Sequence, residues 1–535
     1  MTTRSLSSEL PLADKPGRRW LAPLFALLAC GALFAAGYRV LSLNLLQTQM
    51  QIMVVGGLFA LLFIFGLVLL ITQGRVRSAN GIFICAFLMA LALLVRIYCL
   101  DHVSDDYSMF LSKWVGFFRS SGGFSALSES IGDYNVPYLY FLAAISYIQL
   151  PDLYLIKFLS VLFEVLTAWS VFLLTRHLVS GKFQSEDGHL FPRFWAYAPP
   201  LAFFMVLFLP TVFFNGAVWG QCDSIYVAFV LFALYAALKH HGAEAVMLMA
   251  IAFSFKLQAI FLLPLFLILL FTKHVKWYQL FLFPVVYCVI CLPALLMGRP
   301  FLDIFQIYFH QASQYPSLAM NAPSLASFLP LSADVVFWER VLIFAAAAFV
   351  FVLVVIGLIL HRRLTSRGIV VLALLMAVGV PLLLPHMHER YFMLAEVLAV
   401  VWACSRADRI FLPALIQVAS LGGYHAYLLL QYIYPLKYGA VLLCLSLPVL
   451  FFDLFQSALT GRRKEKEEED DASSPPADSL FDEAEDTDGP NIDLSLIAEL
   501  ADAPPELEEE QEDLSSDLPP SLQMAQAAPP SDELS

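Results

Sequence analysis

The sequence predicts an all-α polytopic membrane protein with about 14 transmembrane helices, in a range of roughly 11 to 14. Of its 535 residues, 60% are hydrophobic and only 14% are charged, and the mean hydropathy is +0.74. A water-soluble surface needs more charge than this. Apolar runs long enough to cross about 30 Å of hydrocarbon recur along the chain, and helices are expected because each crossing must satisfy its own backbone hydrogen bonds.

Charge is distributed unevenly along the chain. The formal net charge is −13, but residues 465–535 hold 24 of the 44 acidic residues and a single base, Lys466. Residues 1–464 therefore carry 30 bases and 20 acids, a balance that suits anionic headgroups or phosphates. The tail at 461–535 is predicted to be disordered, because its few apolar residues cannot offset chain entropy. It is either a solvating tail or a segment that a cytoplasmic partner folds.

Basic connectors predict the topology, because Lys and Arg gather on the cytoplasmic side of a membrane. With these connectors inside, both termini are cytoplasmic. The predicted spans are 20–37, 52–72, 81–100, 153–175, 195–214, 219–238, 244–254, 258–272, 278–298, 337–360, 368–385, 392–405, 410–430 and 437–459. The predicted regions are a cytoplasmic N-terminus at 1–19, two additional helices in 20–80, a seven-helix module at 81–298, an outer loop at 299–336, C-terminal helices in 337–460 and the tail.

Two apolar segments are predicted to be interrupted. The run 244–272 has basic flanks at both ends, so we expect two short helices broken near Lys256-Leu-Gln258. Pro151-Asp152 splits 136–175, which predicts an outer-surface or re-entrant helix over Pro137–Leu150 before the crossing at 153–175. A full hairpin at 136–175 is the alternative, and it would move Asp223 to the inner side.

The first outer loop carries candidate catalytic acids. Asp105 and Asp106 follow the third span and precede an amphipathic stretch, Phe110–Leu127, whose aromatic side chains are expected on the bilayer surface. A carboxylate at that rim lies where a lipid-borne phosphate would sit, and it can act as a general base toward a hydroxyl. Capping of the surface helix is the alternative role. Asp133 and Tyr134 follow as candidate sugar- or acceptor-binding residues.

A second group of polar residues occupies the next outer turn and the predicted break. Trp219, Gln221 and Asp223 lie in one short turn, an aromatic, amide and acid mixture typical of sugar binding, although Asp223 alone would serve as a helix cap. Lys256 and Gln258 lie between apolar runs, where an unpaired ammonium is costly. They are therefore candidate phosphate ligands, with snorkelling toward headgroups as the alternative.

The last cluster, residues 385–392, follows an apolar helix. Arg390 is suited to bind a phosphate bidentately, with Glu389 or His388 orienting it. A contact between Glu389 and Arg390 is not expected, because adjacent residues of a helix do not face each other. The histidines have no zinc-site spacing, so we expect neither a metal nor a cofactor. Asn321, in the outer loop, is a further candidate acceptor ligand.

Six motifs in order carry a family resemblance over about residues 81–405. They are Asp106-Tyr107 with Trp114 and Gly122-Gly-Phe124, Asp133-Tyr-Asn-Val-Pro-Tyr138, Trp219-Gly-Gln-Cys-Asp-Ser224, Phe255-Lys-Leu-Gln-Ala-Ile-Phe261, Asn321-Ala-Pro323 and His388-Glu-Arg-Tyr-Phe392. Together they resemble the GT-C membrane glycosyltransferases, and within them bacterial proteins similar to the glycosylphosphatidylinositol mannosyltransferase II group.

The resemblance implies a GT-C seven-helix module and a polyprenyl-phosphate sugar donor. Asp106 becomes the first candidate for catalytic base and Asp105 the substitute. Asp223 lies where related oligosaccharyltransferase subunits have a metal-binding acid, but the second acid is absent because Ser224 and Ile225 follow. Enzymes of this group with monosaccharide-phosphate lipid donors generally act without metal. The resemblance does not explain the first two helices or the acidic tail.

The expected function is therefore inverting transfer of a hexose, with mannose favoured, to a cell-envelope glycan, lipid or protein acceptor. The active site is expected on the outer face of a bacterial plasma membrane, and no nucleic-acid partner is expected. Asp106 would deprotonate the acceptor, Arg390 and Lys256 would bind the phosphate, and Asp133, Asp223 and Gln221 would hold the sugar. A lipid-linked oligosaccharide flippase or other transporter is the main alternative, and a scaffold acting through its tail is a third.

Overall fold

The chain folds almost entirely into helices, as the long apolar runs predict. The computed structural model describes residues 21–43, 46, 48–74, 76, 78–180, 192–313, 317–330 and 332–473. The predicted cytoplasmic segment 1–19 and the acidic tail beyond Ser473 lie outside the described residues.

Eighteen α-helices account for most of the described residues. They are α1 Leu21–Leu43, α2 Gln49–Val68, α3 Ala79–Cys99, α4 Ser112–Ser120, α5 Val136–Ile145, α6 Asp152–Val179, α7 Pro192–Phe208, α8 Pro210–Phe213, α9 Asp223–Leu238, α10 Gly242–Phe255, α11 Leu263–Phe271, α12 Leu282–Leu296, α13 Phe301–Ser313, α14 Val335–Ile359, α15 Ser366–Leu383, α16 Met393–Ser405, α17 Phe411–Leu428 and α18 Leu436–Ser473. The strands, β1 Ala319–Met320 and β2 Met387–His388, pair in parallel.

Within the described residues, seven helices are long and apolar enough to cross a membrane. They are Gln49–Gln73, Ala79–Cys99, Asp152–Val179, Trp277–Leu296, Val335–Ile359, Ser366–Leu383 and Leu436–Gly461. The count becomes eight if Trp195–Phe208 and Pro210–Trp219, which meet at a 49° bend, form one span. This architecture fits a membrane-embedded protein. Each predicted span overlaps helix among the described residues, but several of these helices are too short to cross about 30 Å, so the count of 14 stays a prediction.

Both predicted interruptions are present. Helix α10 ends at Phe255, Lys256 is extended with φ −147° and ψ 137°, and a 3-10 helix follows over Leu257–Leu262. The short α5 ends at Ile145, and α6 begins at Asp152 directly after Pro151. A ten-residue helix cannot cross a bilayer, which agrees with the split that Pro151 predicts.

The amphipathic stretch after the third helix does not lie with its apolar face on lipid, so that prediction is wrong. Trp114, Val115 and Phe118 are buried in a cluster with Tyr138 and Leu142 of α5, although Phe110 stays exposed. Helix α5 provides the covering surface, and a periodic apolar face does not reveal which partner covers it.

The described helix α18 continues to Ser473, past residue 461 where the acidic tail was predicted to begin, and the disorder of the tail stays a prediction. The added turns are rich in Lys, Arg and Glu. These residues have high helix propensity, so a helix that starts in an apolar segment continues into them.

A buried ion pair and its hydrogen bonds connect α3, α6 and α7. Arg96 of α3 donates from Nε to Glu164 of α6, and from Nη1 and Nη2 to the carbonyls of Ala92 and Leu207, both at 2.9 Å. Both charged side chains are fully buried. Arg96 therefore has a structural role, since removing one member of such a pair leaves an uncompensated buried charge.

Arg96→Met should lower the free energy of unfolding by about 3–5 kcal/mol, because Glu164 would remain buried without its cation. Unfolding of purified protein in detergent, followed by intrinsic fluorescence, measures the change. The double variant Arg96→Met/Glu164→Met should recover most of the loss. The exposed Arg340→Met is the matched control and should leave stability nearly unchanged. Equal losses in the single and double variants would contradict the pairing argument.

Candidate functional site

Most of the predicted site residues converge from four connections between helices. These are the loop after α3, the turn before α9, the break after α10 and the connection between α15 and α16. The C-terminal end of α17 closes the group. Irregular backbone at helix breaks leaves polar groups that can face a cavity, so these positions suit a site.

The loop that carries Asp106 is held at its start by a buried lysine. Lys157 Nζ donates to the carbonyls of Cys99, Leu100 and His102 at 3.0, 3.0 and 2.7 Å. These carbonyls end α3 and have no partners within the helix, so the ammonium both caps α3 and fixes the direction of the loop.

Asp106 accepts three hydrogen bonds from neighbouring side chains. Its Oδ2 accepts from Trp219 Nε1 at 2.9 Å and from Gln221 Nε2, and its Oδ1 accepts from Tyr427 Oη at 2.6 Å. An ionised carboxylate has about four lone-pair sites. One acceptor position therefore remains on this half-buried side chain, and a hydroxyl group of a bound molecule can occupy it.

Trp219, predicted as a sugar- or acceptor-binding residue, is enclosed on both faces of its ring. The Tyr427 ring stacks on it at 4.3 Å between centroids, and Arg390 Cζ lies 5.0 Å from the indole centroid. The side chain is completely buried. Ser104 Oγ also donates to its carbonyl at 2.6 Å. Trp219 therefore positions Asp106 and Arg390 and has no open face for a sugar.

Asp223, predicted as a sugar- or acceptor-binding residue, is the counter-ion for both cations of the site. Its Oδ1 is 2.6 Å from Lys256 Nζ, and its Oδ2 is 3.8 Å from Arg390 Nε. Asn215 Nδ2 also donates to Oδ2 at 2.8 Å. The carboxylate is completely buried and begins α9, so sugar hydroxyls have no access to it.

Gln221 and Tyr134 connect the acid to the cations. Gln221 Oε1 accepts from Tyr134 Oη at 2.9 Å and lies 3.5 Å from Lys256 Nζ, while its amide nitrogen donates to Asp106. The Tyr134 ring is 5.4 Å from Lys256 Nζ. Gln221 and Lys256 are buried, whereas Tyr134 is half-buried. Of these three side chains, Tyr134 can therefore contact a bound molecule most readily.

Glu389 and Arg390 interact, contrary to the expectation for adjacent residues. Arg390 Nη1 is 3.6 Å from Glu389 Oε1. The two residues begin a short 3-10 helix, Glu389–Phe392, and the long arginine side chain reaches back from it. Glu389 is completely buried, and neither carboxylate oxygen has a hydrogen-bond partner among the described residues.

Burial is the main cause of the pKa shifts of Glu389 and His388, the two residues that precede Arg390. Burial raises the pKa of Glu389 to about 7; Arg390 opposes the shift, while Asp106 and Asp223 add to it. Burial, followed by the charges of Arg390 and Lys256, lowers the pKa of His388 to about 2. His388 is therefore neutral at physiological pH, and it contributes shape and polarity but no positive charge toward a phosphate.

Asn321 reaches the edge of the site through its backbone. β1 pairs with β2, and Asn321 itself forms a bridge with His388. Its φ of +57° lies in the left-handed region that Asn tolerates. Its side-chain Oδ1 accepts from Tyr432 Oη at 2.8 Å, which assigns that oxygen a structural contact.

The remaining three predicted residues differ in their exposure. Asp105 is exposed, and its carboxylate makes no hydrogen bond with a described residue. Asp133 is exposed beyond Tyr134. Gln258 is 9% exposed and lies in the 3-10 helix after Lys256. Of the two candidate acids, Asp106 is the one that the cluster surrounds.

Sequence reasoning missed the tyrosines of α17. Tyr427 binds Asp106 across 321 positions of sequence, and Tyr424 Oη accepts from Asn215 Nδ2 at 3.1 Å. Both residues belong to an apolar helix beyond the segment that carries the motifs. The only signal in sequence is that two tyrosines and His425 gather at the end of this helix.

The described residues contain no group of three or more His, Cys, Asp or Glu side chains that could hold a metal ion. The absence of a cofactor stays a prediction. No protein-family model matches the chain, and no curated protein matches it significantly in sequence. The fold and site thus define an all-helical protein with apolar helices suited to a membrane and a buried cluster of charged residues.

The pKa of Glu389 generates a stability prediction. Its value of about 7 lies above the ordinary 4.5, so the folded protein holds a proton that the unfolded chain releases between these values. The protonated carboxyl group of Glu389 therefore makes its full contribution to stability below pH 4.5. As pH rises through 7 this contribution is lost, and the free energy of unfolding falls by roughly 3 kcal/mol. Glu389→Gln should remove this dependence, and unfolding in detergent at pH 5, 6, 7 and 8 measures it. A constant difference between variant and wild type would contradict the assignment.

Proposed function

We propose that the protein is an integral membrane glycosyltransferase that transfers a hexose, with mannose favoured, from a polyprenyl-phosphate donor to a cell-envelope acceptor. The observation that carries the proposal is the placement of Asp106. Its carboxylate keeps one acceptor position and shares Trp219, Gln221 and the surrounding cluster with Arg390 and Lys256.

The chemistry needs a base and an anion site close together. Asp106 accepts the proton of an acceptor hydroxyl, and the resulting oxygen attacks the anomeric carbon from the side opposite the phosphate. The lipid phosphate leaves, and the configuration at that carbon inverts. Arg390 lies over one face of Trp219 with an Nε that has no hydrogen-bond partner among the described residues, so its guanidinium is suited to bind the phosphate.

The apolar helices fit the lipid chain of the proposed donor. A polyprenyl chain is soluble only in the bilayer, so an enzyme that uses this donor needs its anion site among membrane helices. The motif resemblance to the GT-C glycosyltransferases supports the same donor class and an outer-face site in a bacterial plasma membrane.

A transporter for lipid-linked sugars is the second candidate, because two broken helices favour it. The pair Trp195–Phe208 and Pro210–Trp219 bends by 49°, and α10 is interrupted at Lys256. Broken helices beside a substrate site are typical of transporters. A transporter would move the labelled lipid across liposomes without forming a new glycosidic bond, and the two activities are therefore separable.

Asp106→Asn should reduce sugar transfer by roughly 10²- to 10⁴-fold, because it keeps the shape and removes the base. Transfer is measured in membranes of a deletion strain carrying each variant, since these membranes supply the native acceptor. The donors are hexosyl phosphoryl polyprenols carrying labelled mannose, glucose or galactose.

Two further variants sharpen that measurement. Asp334→Asn is the matched control, since Asp334 caps α14 away from the cluster and Asn caps equally well. Asp105→Asn tests the substitute acid, and it should retain most of the activity because its carboxylate is exposed outside the cluster. Near-full transfer by Asp106→Asn would exclude Asp106 as base.

A further inference from the structure

Glu389 is a buried acid whose proton the proposed mechanism has not used. It is completely buried, and both carboxylate oxygens lack hydrogen-bond partners among the described residues. Such a group is normally satisfied, and an unsatisfied one in a native fold needs an explanation. A bound molecule that accepts or donates a hydrogen bond at this position provides one.

Charged and titratable groups surround Glu389 from each neighbouring element. Arg390 lies beside it in the same 3-10 helix, with 3.6 Å between Nη1 and Oε1. The charges of Asp106, in the loop after α3, and Asp223, at the start of α9, act on it. Tyr424 and Tyr427 of α17 complete the surroundings. Two nearby carboxylates and the buried position together favour the neutral acid.

Helix α17 approaches Glu389 so closely that it fixes the side chain. A Cβ built on Gly423 would lie 2.6 Å from Glu389 Cβ and 2.4 Å from the Asn321 carbonyl oxygen. Only glycine permits this approach. Ser420 Oγ also donates to the Glu389 carbonyl at 3.4 Å. The carboxyl group is therefore held beside the guanidinium of Arg390.

The two acids of the site differ in what their oxygens can do. Asp106 accepts three hydrogen bonds and is half-buried, whereas Glu389 is fully buried and its nearest side-chain donor, Arg390 Nη1, lies 3.6 Å away, beyond hydrogen-bond distance. Paired carboxyl groups in such unequal surroundings divide into a base and an acid. A phosphate bound by the Arg390 guanidinium would come close to Glu389, because Arg390 Nη1 is 3.6 Å from Glu389 Oε1.

We propose that Glu389 is a second catalytic residue, the general acid that protonates the departing lipid phosphate. This inference rests on the proposed function. As the acceptor oxygen forms its bond to the anomeric carbon, the bond from that carbon to the phosphate oxygen breaks. The acceptor proton passes to Asp106, and the proton of Glu389 passes to the phosphate oxygen that takes the electron pair. The transfer of one proton from Asp106 to Glu389 through solvent restores the resting site.

Glu389→Gln tests the inference, because it keeps the size of the side chain and cannot donate an acidic proton. Rates are measured at subsaturating and saturating hexosyl phosphoryl polyprenol, between pH 5.5 and 9, in the same membranes. The wild-type kcat/KM, which reports the free protein, should fall as pH rises above about 7. The variant should be slower by roughly 10- to 100-fold below pH 7, without this alkaline decline, and its KM for the donor should change by less than about threefold.

A better, less basic leaving group provides an independent readout. A donor with fluorine on the second carbon of the lipid releases a less basic phosphate, which needs less help from an acid. The ratio of the wild-type rate to the Glu389→Gln rate should therefore be at least about threefold smaller with this donor than with the unmodified donor. Glu396→Gln is the matched control, since Glu396 is also a buried acid of the next helix and its bond from Thr211 can be kept by Gln.

The outcomes separate the two proposals. If wild type transfers sugar and Glu389→Gln keeps its rate or its alkaline decline, Glu389 is not the acid and the function stands. A raised KM at an unchanged maximal rate also overturns the inference, because it reduces Glu389 to a binding residue. If wild type transfers none of the hexoses, the proposed function fails and the inference falls with it.

Discussion

The buried carboxylate of Asp223 is the interaction on which the site depends. Two cations, Lys256 and Arg390, lie within 2.6 and 3.8 Å of its oxygens, and Asn215 donates to it at 2.8 Å. An isolated ammonium or guanidinium among apolar helices would cost several kcal/mol. Because Asp223 begins α9, its position is set by the helix, and the two cations are placed relative to that fixed charge.

Trp219 connects these charged residues to Asp106, the proposed base. Its indole nitrogen holds Asp106 at 2.9 Å, while its ring lies between Tyr427 and Arg390. The turn from Trp219 to Asp223 thus connects the acid of the first loop to the cations of the second half of the chain. A rigid aromatic ring with both faces covered keeps these groups in register better than flexible side chains could.

Sequence alone predicted the parts of the fold that follow from local chemistry. The break at Lys256 could be predicted because a charge interrupts an apolar run with basic flanks, and Pro151 marks the start of α6. The burial of Trp114 could not, because it depends on α5 folding over the amphipathic face. The role of Tyr427 was equally hidden, since it pairs with Asp106 across 321 positions. Local sequence patterns identified most of the polar residues of the cluster. Tertiary packing decided which of these residues are buried and which stay exposed.

The charge balance of the cluster explains why one acid must stay neutral. Lys256 and Arg390 offset Asp106 and Asp223, so an ionised Glu389 would leave an uncompensated negative charge in a buried position. That charge would also repel the phosphate that Arg390 is suited to bind. A protonated Glu389 removes both costs and supplies a hydrogen-bond donor to the incoming anion. The same burial that makes its ionisation unfavourable therefore makes the cluster able to accept a phosphodiester, and it links anion binding to the proton that this carboxyl group carries.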